Sequence, residues 1–203
     1  MTITDSTADE YYGDRKKLGE ALASALNREV LALADAGCHH IQIDEPVFAR
    51  QPEEAHEYGI ENLERVVHGC PSHVVRVMHM CCGYPDRLDH PDYPKAPLAS
   101  YQRLAASMEE SVFDAVSIED AHRHNDLSML EVYRSTTIIL GVVAIAATRI
   151  ESVEEIRERL SKALEHIDSH RLIAAPDCGL GLLGRALARQ KMQRLSEAAH
   201  SIG

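Results

Sequence analysis

Five times along this chain a short apolar run of strand type gives way to a helical stretch, and this rhythm constrains the fold more than any other feature. Over residues 15–36 the apolar side chains Leu18, Leu22, Ala25, Leu26, Val30 and Leu33 recur at three- and four-residue intervals, and Gly37 supplies a stop. That spacing predicts an amphipathic helix. The strand His40–Asp44 follows, ended by Pro46. Further strands are predicted at 74–79, 115–119, 137–143 and 172–175, separated by helical segments near 60–67, 98–112, 127–133, 152–170 and 185–199. Ser152 and Glu155 form a capping box opening the fourth of these. Residues 1–10 are polar and without period and read as a flexible lead-in, and residues 82–97, rich in Pro and Asp, read as a long loop.

Strands separated by helices return to the same end of a sheet and pair in parallel, so the class is α/β. Either a doubly wound open sheet or a piece of a (β/α)8 TIM barrel satisfies the rhythm, and the barrel is preferred. A complete barrel takes eight strands and about 250 residues. With 203 residues and five strands the chain cannot close one alone, so the remaining strands must come from elsewhere.

Bulk composition removes several classes of function. The net charge is -11 and no dense Lys/Arg cluster is present, which argues against nucleic acid as a partner. The longest apolar stretch, 138–147, is about half of the ~20 residues a membrane span requires. Five cysteines, an odd number, with no secretory leader pattern fit a reducing cytoplasm better than a disulfide scaffold.

Chemistry concentrates at strand ends. His79 and Cys81 are two apart, so a strand presents both to the same side. Alone, such a pair is more often packing than ligation. Glu119 ends the apolar run 115–118, where an unpaired buried carboxylate would be costly, although a salt bridge would also serve. Cys178, in Pro176-Asp177-Cys178-Gly179, occupies the same strand-to-loop position. Imidazole, two thiolates and a carboxylate form a donor set that zinc accepts in tetrahedral geometry. Cys82 competes with Cys81 for this role, but adjacent strand residues face opposite sides and the spacing favours Cys81. Cys38 and Cys70 read as structural, and the remaining histidines have no comparable spacing support and read as mostly solvated. Asp44 ends its strand directly and is the candidate to hold a cationic part of a substrate.

Together, Ile41-Gln42-Ile43-Asp44-Glu45-Pro46, His79-Met80-Cys81, Ser117-Ile118-Glu119, Gly141 with Arg149 and Ser152, and Pro176-Asp177-Cys178-Gly179-Leu180 resemble the C-terminal catalytic domain of cobalamin-independent methionine synthase and its uroporphyrinogen decarboxylase/methionine synthase-like superfamily. The resemblance implies that residues 11–203 are the C-terminal part of such a barrel, about strands 4 to 8. It implies zinc held by His79, Cys81, Glu119 and Cys178, with Asp44 contacting the amino group of a homocysteine-like acceptor. The expected activity is zinc-dependent methyl or alkyl transfer to a small thiol, in a barrel completed by a separate chain or by another copy, unless the chain is a fragment of a longer barrel. A noncatalytic zinc-binding structural or regulatory subunit is the alternative; a decarboxylase, by analogy of fold, leaves both cysteines unexplained. One segment departs from the family. Where the family has Gly-x-x-Asp-x-His-Ser, this chain has Gly141 followed by Ala144 and Ala146, so the acidic residue and the proton-donating histidine of a folate-dependent reaction are missing.

Overall fold

The computed structural model describes residues 1–90 and 92–202. Its elements in chain order are α1 (Thr2–Ser6), α2 (Arg15–Asp35), β1 (His40–Asp44), α3 (Pro52–Glu54), α4 (Ile60–Val66), β2 (Val75–Met80), α5 (Ser100–Glu109), β3 (Ala115–Glu119), β4 (Thr137–Val143), α6 (Val153–Ala163), β5 (Leu172–Pro176) and α7 (Arg185–His200). A π-helical turn, Ala55–Gly59, joins α3 to α4, and short 3-10 turns cover Leu127–Val132 and Ser169–Arg171.

All five strands are parallel, and each pairs with its predecessor in the order β1-β2-β3-β4-β5. A doubly wound sheet must reverse its strand order at a switch point, and this one never does. The chain is therefore an arc of a (β/α)8 barrel, with β1 and β5 as its two edges among the described residues.

Side-chain alternation sorts the two faces. Met78, Met80, Val116, Ile118, Ile138 and Leu140 point outward to the helices and form the main core with Leu104, Met108, Ile156, Leu160 and Leu195, all buried. Burying each such side chain contributes roughly 1.5–3 kcal/mol. A smaller cluster of Ala23, Val30, Ala34, Ile41, Val66 and Val74 seats α2 against β1. The other face carries His40, Gln42 and Asp44, all exposed, and Ile173, which is 49% exposed. This face would line the interior of a closed barrel.

Three local details depart from the sequence-based expectation. Residues 1–10 are not without structure. They contain α1, whose Thr2 donates its backbone N–H (3.0 Å) and hydroxyl (2.8 Å) to Glu45. The helix opened by Ser152 ends at Ala163 rather than near 170: beyond Leu164 the backbone tightens into i→i−3 bonds (Glu165 to Lys162, His166 to Ala163), and Ile167 is buried from the turn that follows. The segment before β2 is one longer helical stretch from Pro52 to Val66, with the π turn in its middle.

Candidate metal centre

Parallel strands in register bring their C-terminal ends together, and four side chains meet there. Asp44 lies opposite His79, His79 opposite Ser117, and Glu119 opposite Gly141. Cys81 follows β2 and Cys178 follows β5. One donor atom from each of His79, Cys81, Glu119 and Cys178 lies within 4.8 Å of the other three. The first three residues are buried and Cys178 is half-buried.

The electrostatics of this group are those of donors packed without a counter-charge. A proton shared from Cys81 pulls the Cys178 thiol down to about 4 against the opposing effect of burial, with help from His79. Cys81 is driven the other way, first by that same shared proton, then by burial and by the Glu119 charge. Burial raises Glu119, only partly offset by hydrogen bonds from Cys82 and Cys81. For His79, burial favours the neutral ring, but Cys178 and the charges of Glu119 and Asp44 outweigh it and raise its affinity for a proton. Acidic donors so close in a poorly solvated space repel one another when ionised.

A divalent cation would relieve that repulsion, and the imidazole is arranged to receive one. His79 Nδ1 lies 2.9 Å from Ser117 Oγ, while its buried Nε2 makes no well-aligned hydrogen bond and interacts only with the neighbouring Cys178 sulfur, itself one of the four donors. With Nδ1–H donating to the serine, Nε2 presents a lone pair to the other three donors, the tautomer that a metal-binding histidine requires. The residues therefore fit a zinc ion in donor type, number and outer support.

The surrounding network fixes these positions. Tyr101 donates its hydroxyl to the Met80 carbonyl (2.7 Å) and accepts the Glu119 N–H (3.2 Å), bracing the ends of β2 and β3. Asp177, fully buried beside Cys178, accepts the backbone N–H groups of Asp120 (2.9 Å), Ala121 (2.8 Å) and His122 (2.8 Å). Gly141 makes this possible, since a Cβ there would come within 2.4 Å of Asp177 Oδ1 and 2.6 Å of its Cα. Arg159 then grips Asp120 through Nε (2.6 Å) and Nη2 (2.7 Å), tying α6 to the loop after β3.

Asp44 stands outside the four-donor group, exposed on the interior face, and accepts a hydrogen bond from Gln42 Nε2 (2.8 Å). Several residues around the site gave no sequence signal. Lys191, fully buried, reaches from α7 to the Ala144 carbonyl (3.0 Å) and to Glu151 (2.9 Å). His122, expected to be solvated, is half-buried and accepts the N–H groups of Ile145 (3.0 Å) and Ala146 (3.1 Å) on Nε2. Cys38 and Cys70 pack against the α2 cluster.

In (β/α)8 barrels functional groups gather at the C-terminal ends of the strands, which is where these four donors meet. The family model for the cobalamin-independent synthase catalytic domain matches residues 98–201. The chain belongs to that family. Among curated relatives, a methionine synthase of Thermococcus kodakarensis is 32% identical over 192 residues, covering 94% of this chain and 52% of the relative. A methionine synthase of Pyrococcus furiosus is 28% identical over 202 residues, covering 99% of this chain and 54% of the relative. The chain thus spans about half the length of the curated relatives it matches. Of solved structures, a B12-independent methionine synthase from Shewanella sp. W3-18-1 in complex with selenomethionine superposes with a TM-score of 0.89 at 30% identity, covering all of this chain (100%) and 59% of that one. A methyltransferase from Methanosarcina mazei, at 20% identity and a TM-score of 0.60 over 86% of this chain and 47% of its own, shares the fold. No helix among the described residues is long and apolar enough to cross a membrane.

Proposed function

We propose that this chain is the zinc-binding part of a methionine synthase-like methyltransferase that transfers a methyl or alkyl group to a small, homocysteine-like thiol. The observation that carries the reading is the meeting of four donors within 4.8 Å around an imidazole nitrogen that has no other partner. His79, Cys81, Glu119 and Cys178 would hold the ion. Bound zinc would supply the Lewis acidity that keeps a substrate thiol in its nucleophilic thiolate form near neutral pH. Ser117 keeps His79 in the receiving tautomer, and the brace from Tyr101 fixes the reach of Glu119. Among the four, the carboxylate is the donor most readily exchanged for substrate sulfur. Asp44, exposed beside His79, would attract the ammonium group of an amino-acid thiol and orient its sulfur toward the donors. Ala144 and Ala146 offer no side chain to protonate a pterin leaving group, so this chain's own residues favour a different alkyl donor or a proton supplied from another polypeptide.

Completion of the barrel is part of the proposal. Both sheet edges have unpaired strands, the interior face is open, and a cavity of about 360 Å³ beside β1 is lined by Leu22, Leu26, Leu33, Ile41 and Ile43. The remaining strands would be supplied by further polypeptide, whether more of the same protein, a separate chain or a second copy, since the chain spans about half the length of the relatives it matches.

Metal analysis of the protein purified with its native assembly is the direct test. About one zinc per chain is expected, lost in Cys178→Ala; stoichiometric zinc in that variant would remove Cys178 from the site. Ala144 and Ala146 also favour a second reading, a noncatalytic structural or regulatory subunit. X-ray absorption at the zinc edge separates the two, because an added thiol should replace an oxygen neighbour with sulfur in the transferase and leave a closed structural site unchanged.

A further inference from the structure

Glu119 is a buried carboxylate, 3% exposed, and besides the Cys81 thiol of the donor group a neighbouring cysteine outside that group donates to both of its oxygens. The backbone N–H of Cys82 donates to Oε1 at 2.8 Å, and its thiol donates to Oε2 at 2.9 Å. Cys82 is 2% exposed and belongs to the main apolar core, and its thiol reaches Glu119 from there, whereas the Cys81 sulfur is itself one of the four converging donors. A thiol in an apolar core ordinarily makes no directed contact of consequence. Here two donors from one residue converge on one carboxylate, and that carboxylate is the most exchangeable member of the proposed zinc site.

We infer that Cys82 is a positioning residue for Glu119, a second thiol that orients the carboxylate toward the ion without itself binding it. The inference rests on the zinc reading above. Its physical basis is that both oxygens of an ionised carboxylate need hydrogen-bond donors or a cation when water is excluded. The Cys82 N–H and S–H hold the carboxylate plane at one angle, so the lone pairs left free on its oxygens point in one direction. Were Glu119 to give up its place at a bound ion, the same two donors would keep the carboxylate from being left bare in the core. Outer-shell contacts of this kind typically govern 10–100-fold in metal affinity.

The test compares the parent protein in its native assembly with Cys82→Ala and Cys82→Ser, titrated with zinc against a competing chelator and, in parallel, with cobalt(II) as a spectroscopic probe. Cys82→Ala, which keeps the backbone donor but loses the thiol, should weaken zinc binding about 10-fold or more. Cys82→Ser, which retains a hydroxyl donor, should recover most of that loss. Thiolate-to-cobalt charge-transfer intensity should be the same in Cys82→Ser as in the parent, since the ligand thiolates are those of Cys81 and Cys178. Unchanged zinc affinity in Cys82→Ala, or a fall in charge-transfer intensity in Cys82→Ser, would overturn the assignment and leave the metal site standing. A parent protein that takes up neither metal would overturn the zinc reading itself, and this inference with it.

Discussion

Asp177 supports the loop after β3 with a single carboxylate, and Gly141 supplies the space in which it sits. In Asp177→Ala three backbone N–H groups lose their acceptor, one fully buried and two partly so, with an expected loss of about 2–4 kcal/mol measurable by urea unfolding. Gly141→Ala should destabilise the protein by a comparable route, because the added methyl meets both the Asp177 carboxylate, pinned by three backbone N–H groups, and the Asp177 backbone behind it. Equal urea midpoints for the parent and both variants would refute this. His122 gives a pH signature. Burial, assisted by the charges of Lys95 and Lys191, holds it down to about 4, well below its ordinary 6.5. The folded protein thus binds this proton less readily than the unfolded chain. Its contribution is fully present above pH 6.5 and is lost as pH falls from there toward 4. The stability difference between the parent and His122→Gln should therefore shrink over that window; a difference constant from pH 7.5 to 4.5 would contradict the assignment. The four donors could be found from sequence because each ends an apolar strand, a place where hydrophobic periodicity breaks off on a residue able to bind metal. Asp177 adjoins one of them and was passed over, because its role is to accept backbone groups from a loop far away in sequence. Nothing in its local pattern encodes that.

At the level of elements, the helices are held to the sheet by a few specific polar ties as well as by the apolar core. Lys191 of α7 forms a buried pair with Glu151, which also accepts the Ala144 N–H at 3.0 Å, so one pair joins α7, the start of α6 and the end of β4. Lys191→Met leaves the carboxylate without its counter-charge and should cost about 3–5 kcal/mol, whereas Lys191→Met combined with Glu151→Leu should recover a large part of that loss. Thermal melts of the two variants decide it, and an equally poor double mutant would point to packing rather than charge. The strand positions were legible because apolar runs of five to seven residues bounded by Pro, Gly and Asp leave little else to form. Helix ends were less legible. Ile167 continues the α6 stripe in sequence but is buried from a turn, so periodicity alone overran the true end. Lys191 looks like any solvated lysine of an amphipathic helix until the fold places it against β4.

For the whole molecule, the parallel class followed directly from the strand–helix rhythm. The choice between an open sheet and a barrel arc did not, since it depends on strand order, which no local signal carries. If the missing strands dock on the edges of the arc, the native assembly should exceed the 22.5 kDa of one chain, and native mass spectrometry should resolve the added polypeptide. In the isolated chain, hydrogen exchange should be faster along β1 and β5 than along β3, and docking should slow it selectively at those edges. Uniform protection across the five strands would argue against open edges. Because every strand neighbours the one before it in sequence, an arc of such a ring meets the rest of the barrel through backbone pairing only at two seams and is internally intact between them. The same topology would let either portion be lengthened or exchanged one β/α module at a time, with the catalytic rim reassembled from whichever pieces meet.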